Sequence, residues 1–252
     1  MLLLGLIYLV SQWSSQQIRA EETTAAAIQN LTLSDNSLTF SLLTPGFNQD
    51  ETGWLTVPGL DARPNTPGAP DVPFYATTIV LPPEATLQVN VTSADHTTHP
   101  INDVRPVPRA ILPTSSDGVS LNTSVLTESY DRDEAFYQSN APYPDGLYTI
   151  SEPMYLRDVR LVRLFIYPLH YNAAERSLNH SAQMDVSLTF VGADFSQVQP
   201  APSYQDNHLQ MVEGLALNAS QARQWRSLPR EINAAATALP VGQTAYKIAV
   251  SQ

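Results

Sequence analysis

Residues 157–194 read RDVRLVRLFIYPLHYNAAERSLNHSAQMDVSLTFVGAD, and this stretch decides the fold class. From Val159 to Tyr167 both alternating faces are apolar except at Arg160 and Arg163, as in a strand buried largely on both sides. Each of these arginines then needs a carboxylate or carbonyl partner, because an unpaired buried charge is costly. Pro168 removes a ladder donor where the strand should end. Met184, Val186, Leu188 and Phe190 alternate with Asp185, Ser187 and Thr189, the pattern of a strand with one wet face. The core is therefore expected to be a β-sheet.

Working outward, residues 28–42 read as a hairpin turning at Ser34-Asp35-Asn36-Ser37. Short extended pieces follow at residues 54–57 and 74–81, separated by a passage in which Pro64, Pro67, Pro70 and Pro73 interrupt regular structure. Leu87, Val89 and Val91 alternate with polar residues in another half-buried strand. Residues 100–113 are again proline-studded, residues 114–122 read as a polar loop, and residues 147–151 as a short strand. Phe136-Tyr137 is a short aromatic segment between loops. Residues 209–225 form the one region with helical character, with Asn218 or Ser220 as candidate cap.

The 252 residues carry a formal net charge of -11, and Pro outnumbers Gly 20 to 10. Many short strands joined by proline-rich loops suit this composition. The acidic balance argues against nucleic acid or an anionic membrane surface as partner, since both call for a basic face. Cysteine is absent, which excludes disulfides, thiolate metal sites and a cysteine nucleophile within these residues. Residues 2–10 form an apolar run far too short to span a bilayer but suited to an export signal, with cleavage expected after Ala20. No basic residue precedes the run.

Candidate chemistry is sparse. No Gly-x-Ser-x-Gly elbow or phosphate-binding loop is present. His96 and His99 fall in a polar segment expected to be a solvated loop, and strand spacing would send them to opposite faces, which is poor for one metal. Glu128, Asp131, Asp133 and Glu134 lack the glycine and closing glutamate of an EF-hand loop. His170, after Pro168, is expected to cap a bend. No metal and no cofactor is expected. Arg223, Arg226 and Arg230 are candidate processing positions at the edge of an Ala-, Pro- and Gly-rich stretch, since exposed flexible backbone is what proteases cut; ordinary solvated arginines are the equal alternative.

Three segments resemble the propeptide of gingipain-like cysteine proteases. The first comprises Trp54-Leu55-Thr56-Val57-Pro58-Gly59, the Pro67-Gly68-Ala69-Pro70-Asp71-Val72-Pro73 run and Ile79-Val80-Leu81-Pro82-Pro83. The second is the opening stretch, through Arg157, Val159, Arg160, Pro168, Tyr171, Asn172 and Phe190-Val191-Gly192-Ala193-Asp194. The third is Tyr246-Lys247-Ile248 and Val250, similar to the first strand of the family's catalytic region. The resemblance implies an all-β, antiparallel β-sandwich-like prodomain with one short helical region near the C-terminus. It implies a secreted, non-catalytic zymogen segment that aids folding of a cognate catalytic domain, blocks it, and is removed by proteolysis. The expected division is a signal peptide (1–20), the propeptide domain (21–195), a linker with the helix and processing site (196–244) and the first strand of a downstream catalytic domain (245–252).

In arginine-specific members an arginine on a loop before the opening stretch enters the specificity pocket. The matching loop here, residues 139–146, has no basic residue. Pro142, Tyr143, Pro144 and Asp145 are its candidate inhibitory residues, with Tyr143 as the expected plug between two stiffening prolines. A plain turn linking two strands explains the same residues. A freestanding adhesion or carbohydrate-binding module is the alternative function; it requires exposed aromatics on one rim, for which Tyr137, Tyr143, Tyr148 and Tyr155 are candidates.

Overall fold

In the computed structural model, residues 26–111, 127–199 and 206–228 are described. The export signal, Ala20, residues 114–122, Arg230 and the segment 245–252 lie outside them.

Chain order gives β1 (Ala27–Leu33), β2 (Ser37–Leu43), β3 (Asn48–Gln49), β4 (Leu55–Thr56), β5 (Tyr75–Leu81), β6 (Thr86–Pro100), β7 (Arg109–Ile111) and β8 (Thr127–Ser129). After helix α1 (Glu134–Tyr137) come β9 (Tyr148–Ile150), β10 (Met154–Leu156), β11 (Val159–Ile166), β12 (Leu169–Asn172) and β13 (Ser177–Val191), and then α2 (Asn207–Leu215) and α3 (Ala219–Ala222).

Two antiparallel sheets share one construction. In the first, β13 pairs along its whole length with β6, while its other edge is divided between β12 and the β1–β2 hairpin. In the second, β11 pairs with β5, and its other edge is divided between β9 and β10. Phe40, Val91, Met184, Val186 and Leu188 of the first sheet meet Ile79, Leu81, Val162, Leu164 and Ile166 of the second in one core. A second core gathers Leu55, Val57, Leu60, Val72 and Val104 of the proline-rich passages around Leu169, Tyr171 and Leu178. Strand β13 runs through both, and its regular alternation, from Met184 to Phe190, falls in the half that faces the first core.

Three expectations are corrected. Strand β6 continues through His96 and His99 instead of ending in a loop, because the β-branched pair Thr97–Thr98 finds ladder partners in His180 and Asn179. Strand β11 is less symmetric than its composition implied. Arg163 is exposed and lies over the Phe165 ring at 5.0 Å, whereas Arg160 is half-buried and donates to the Ala85 carbonyl.

The third concerns residues 206–228, expected within a linker, which pack as part of the domain. Leu209 and Val212 form the buried apolar face of α2, Ala216 packs in the same core just past its end, and Trp225, 1% exposed, meets Phe190 edge-on at 5.2 Å. Asp206 caps α2, accepting the amides of His208 and Leu209, while Asn218 stands at the N-cap position of α3 without a side-chain capping bond. Asn218 uses its side chain on strand β5 instead: Val80 N donates to Oδ1 at 2.8 Å and Nδ2 donates to Val80 O at 3.0 Å. Leu217 N donates to Thr78 O, so this segment covers the edge of β5 that β11 leaves open. Gln221 then reaches the other sheet, donating to Ser34 O at the β1–β2 turn.

Candidate functional site

The loop 139–146 is held against strand β12 at three successive positions. Asn172 Nδ2 donates to Asn140 O and Oδ1 at 3.2 and 3.1 Å. Tyr143 and Tyr171 exchange both backbone bonds, at 2.8 and 2.7 Å. His170, which lies inside β12 and does not cap the bend at Pro168, contacts Gly146 O through Nε2 at 2.9 Å. The Tyr143–Pro144 peptide bond is cis.

The preceding helix sets the loop's other boundary. Asp133 caps α1 by accepting the Ala135 amide, and Asp133 N donates to Gly68 O. Gly68 has φ +87°, and a Cβ there would meet Asp133 N at 3.0 Å, so only glycine lets α1 sit this close to the proline-rich passage. From α1, Phe136 packs edge-on against Tyr143 at 5.2 Å, and Tyr137 donates its hydroxyl to Val104 O at 2.6 Å.

Tyr143 therefore faces inward. Its half-buried ring packs on the second core, and burial raises its hydroxyl pKa above the ordinary tyrosine value. The expected plug is an anchor in this geometry, and the exposed residues of the loop are Asn140, Ala141, Pro142, Asp145 and Gly146. Pro144 is half-buried beside the anchor.

Charge around this end of the domain is organised on Asp103, which accepts from Arg132 at 3.0 Å, faces Arg176 at 3.5 Å and receives the Tyr171 hydroxyl at 3.4 Å. Arg63 and Arg105 both lie over the Trp54 ring, at 4.1 and 3.9 Å, and Arg105 also covers Tyr130 at 4.7 Å. These cation–π contacts add to the backbone bonds from Asp71 N to Arg105 O, Val107 N to Ala69 O and Arg105 N to Gly53 O that tie the proline-rich passages together. Buried Asp71 has its carboxyl pKa raised by desolvation despite Arg63 at 3.4 Å. These groups brace the second core, and nothing in their arrangement signalled itself as a motif.

The remaining candidates are dispersed. Arg223 ends α3, paired with Glu213, while Arg226 is 5% exposed and paired with Asp158. The Arg226 carbonyl also accepts from Gln199 N, so neither its side chain nor its backbone is presented to a protease. Of the acidic group, Asp133 caps α1, Asp131 accepts from Ser129, and Glu128 from Tyr130. Among the described residues no three His, Cys, Asp or Glu side chains are grouped to hold a metal ion. Of the four tyrosines a binding module would display, only Tyr155 is exposed; Tyr148 donates to Val89 O and is half-buried like Tyr137 and Tyr143.

The architecture is that of a mostly-β prodomain. It is similar to a chain of the solved complex of Porphyromonas gingivalis RgpB pro- and mature domains, with a TM-score of 0.55 and 15% identity over 77% of this chain and 96% of that one. A chain from the work on zymogenic latency of gingipain K from Porphyromonas gingivalis gives a TM-score of 0.49 and 19% identity, covering 68% and 94%. No curated protein matches. The Propeptide_C25 family matches residues 60–218, more than half of the chain, and the chain belongs to that family. It is a non-catalytic propeptide of a gingipain-like protease.

Proposed function

We propose that this prodomain folds with, and holds inactive, the catalytic domain encoded after it, and that the loop 139–146 is its contact with the protease. Family membership carries the reading, and the three-point attachment of the loop to β12 supports it. A segment that resists cleavage in a protease cleft must be rigid on its inner side and exposed on its outer side. Tyr143 and Pro144 supply the anchor, and Pro142 and Asp145 are the contact residues. The facing sheets correspond to a β-sandwich, with the domain running to the region of Leu228. Export by residues 1–20, with cleavage after Ala20, places the zymogen outside the cell. Removal of the prodomain is assigned to the chain beyond the core, with Arg230 the favoured position because Arg223 and Arg226 are engaged in the fold.

The test is expression of the parent gene with and without the segment 21–228. The expected result is a latent, soluble protease with the segment, and insoluble or immediately active protease without it. Equal solubility and equal activity in both would overturn the reading.

A further inference from the structure

Two histidines meet at the junction of the two cores. His180 of β13 is 7% exposed, and its Nε2 has no hydrogen-bond partner. His99 of β6 lies 6.5 Å away between ring centroids, and Phe47 packs edge-on against both, at 5.3 Å from His99 and 6.2 Å from His180. His99 Nε2 is engaged by Thr97 Oγ1 at 2.8 Å. Among the described residues no carboxylate bears on His180. The segment from Thr44 to Gln49 carries no titratable side chain, β12 brings His170, which is engaged with Gly146, and Tyr171, whose hydroxyl donates to Asp103, and β6 adds exposed His96 and Asp95.

We propose that His180, with His99 beside it, is an acid-sensitive latch on the second core, whose protonation loosens the strand that carries the loop 139–146. Leu169 of β12 pairs directly with His180, and Tyr171, two residues on, holds Tyr143. A charge on His180 has to be solvated, and the junction offers only the backbone of Thr44 and Pro45. Burial first, and His99 second, depress the His180 pKa below its ordinary 6.5. The sign follows: stability present in full above that value is lost as pH falls towards the lowered one. The bearing of the latch on latency rests on the proposed function; its effect on stability does not.

Thermal unfolding of the full chain between about pH 7.5 and about pH 5.5 reads the effect in the window where imidazoles titrate. Wild type is expected to lose at least about 3 °C in Tm, a shift of the size that moderate destabilisation produces in a chain of this length. His180→Phe, which keeps a ring beside Phe47, is expected to flatten the profile. An unchanged wild-type Tm, or an equal fall in the variant, overturns the proposal. Should the variant not fold, histidine ring resonances of the wild type decide. A His180 ring that stays neutral below the ordinary imidazole range, with Tyr143 and Tyr171 amides losing protection as it charges, supports the latch. A ring that charges at or above that range overturns it.

Discussion

Asn218 and Val80, 138 positions apart, form a two-bond pair in which a side-chain amide takes the place of a neighbouring strand's backbone. The pair is fully buried, closes the open edge of β5, and fastens the helical segment to the sheet. Replacing Asn218 by Ala would leave the Val80 amide and carbonyl without partners. The expected loss is about 2–4 kcal/mol, from two buried groups at roughly 1–3 kcal/mol each with partial relaxation. Chemical denaturation with an unchanged m-value checks it.

Trp225 makes the same claim for the end of the segment. Trp225→Ala is expected to cost about 3–5 kcal/mol, the range for deleting a buried aromatic ring. Native-state limited proteolysis should spare the bonds after Arg223 and Arg226, and mass spectrometry of the resistant fragment should find residues 206–228 retained. Cleavage there at a rate typical of exposed loops would show that the segment is a linker after all.

Tyr143→Ala should lower stability by about 2 kcal/mol, less than for a fully buried ring because this one is half-buried. A double substitution of Pro142 and Asp145 by Ala should leave stability within about 0.5 kcal/mol, as for surface changes, while weakening inhibition. Thermal melts alongside inhibition assays separate the anchor from the contact residues.

Acid acts on the helical segment through Asp206. Burial alone would raise this carboxyl, but the Leu209 and His208 amides, with Arg157 and Arg226, bring it below the ordinary 3.8. A lowered carboxyl contributes stability that is complete above the unfolded value and lost as pH falls through the folded one. Wild type is therefore expected to lose stability below about pH 4, and Asp206→Asn to start lower at neutral pH with a shallower acid slope. Asp71, raised by desolvation, acts in the opposite sense. Tm profiles of Asp206→Asn and Asp71→Asn measure both signs.

The sheet strands were legible because Met184, Val186, Leu188 and Phe190 repeat with period two, as do Leu38, Phe40 and Leu42 of the hairpin. Trp225 and Asn218 were not, since each is fixed by one distant partner and no local period announces it. Residues 209–225 read as a helical region within a linker, with nothing in the local pattern to show which strands it covers. His96 and His99 were misplaced because polar residues on a strand gain order from a paired neighbour, which no short window contains. The loop's position was visible in the prolines, but the direction of Tyr143 was not. That direction is set by Phe136 and by the reciprocal bond with Tyr171, both contacts made after folding.

The most direct measurement adds the full 252-residue chain to the mature form of its proposed cognate protease and follows hydrolysis of a peptide substrate as the chain is titrated. Stoichiometric loss of activity, weakened at least tenfold (about 1.4 kcal/mol) by the Pro142 and Asp145 double substitution, is the predicted result. Undiminished hydrolysis at excess of a folded chain would contradict the account.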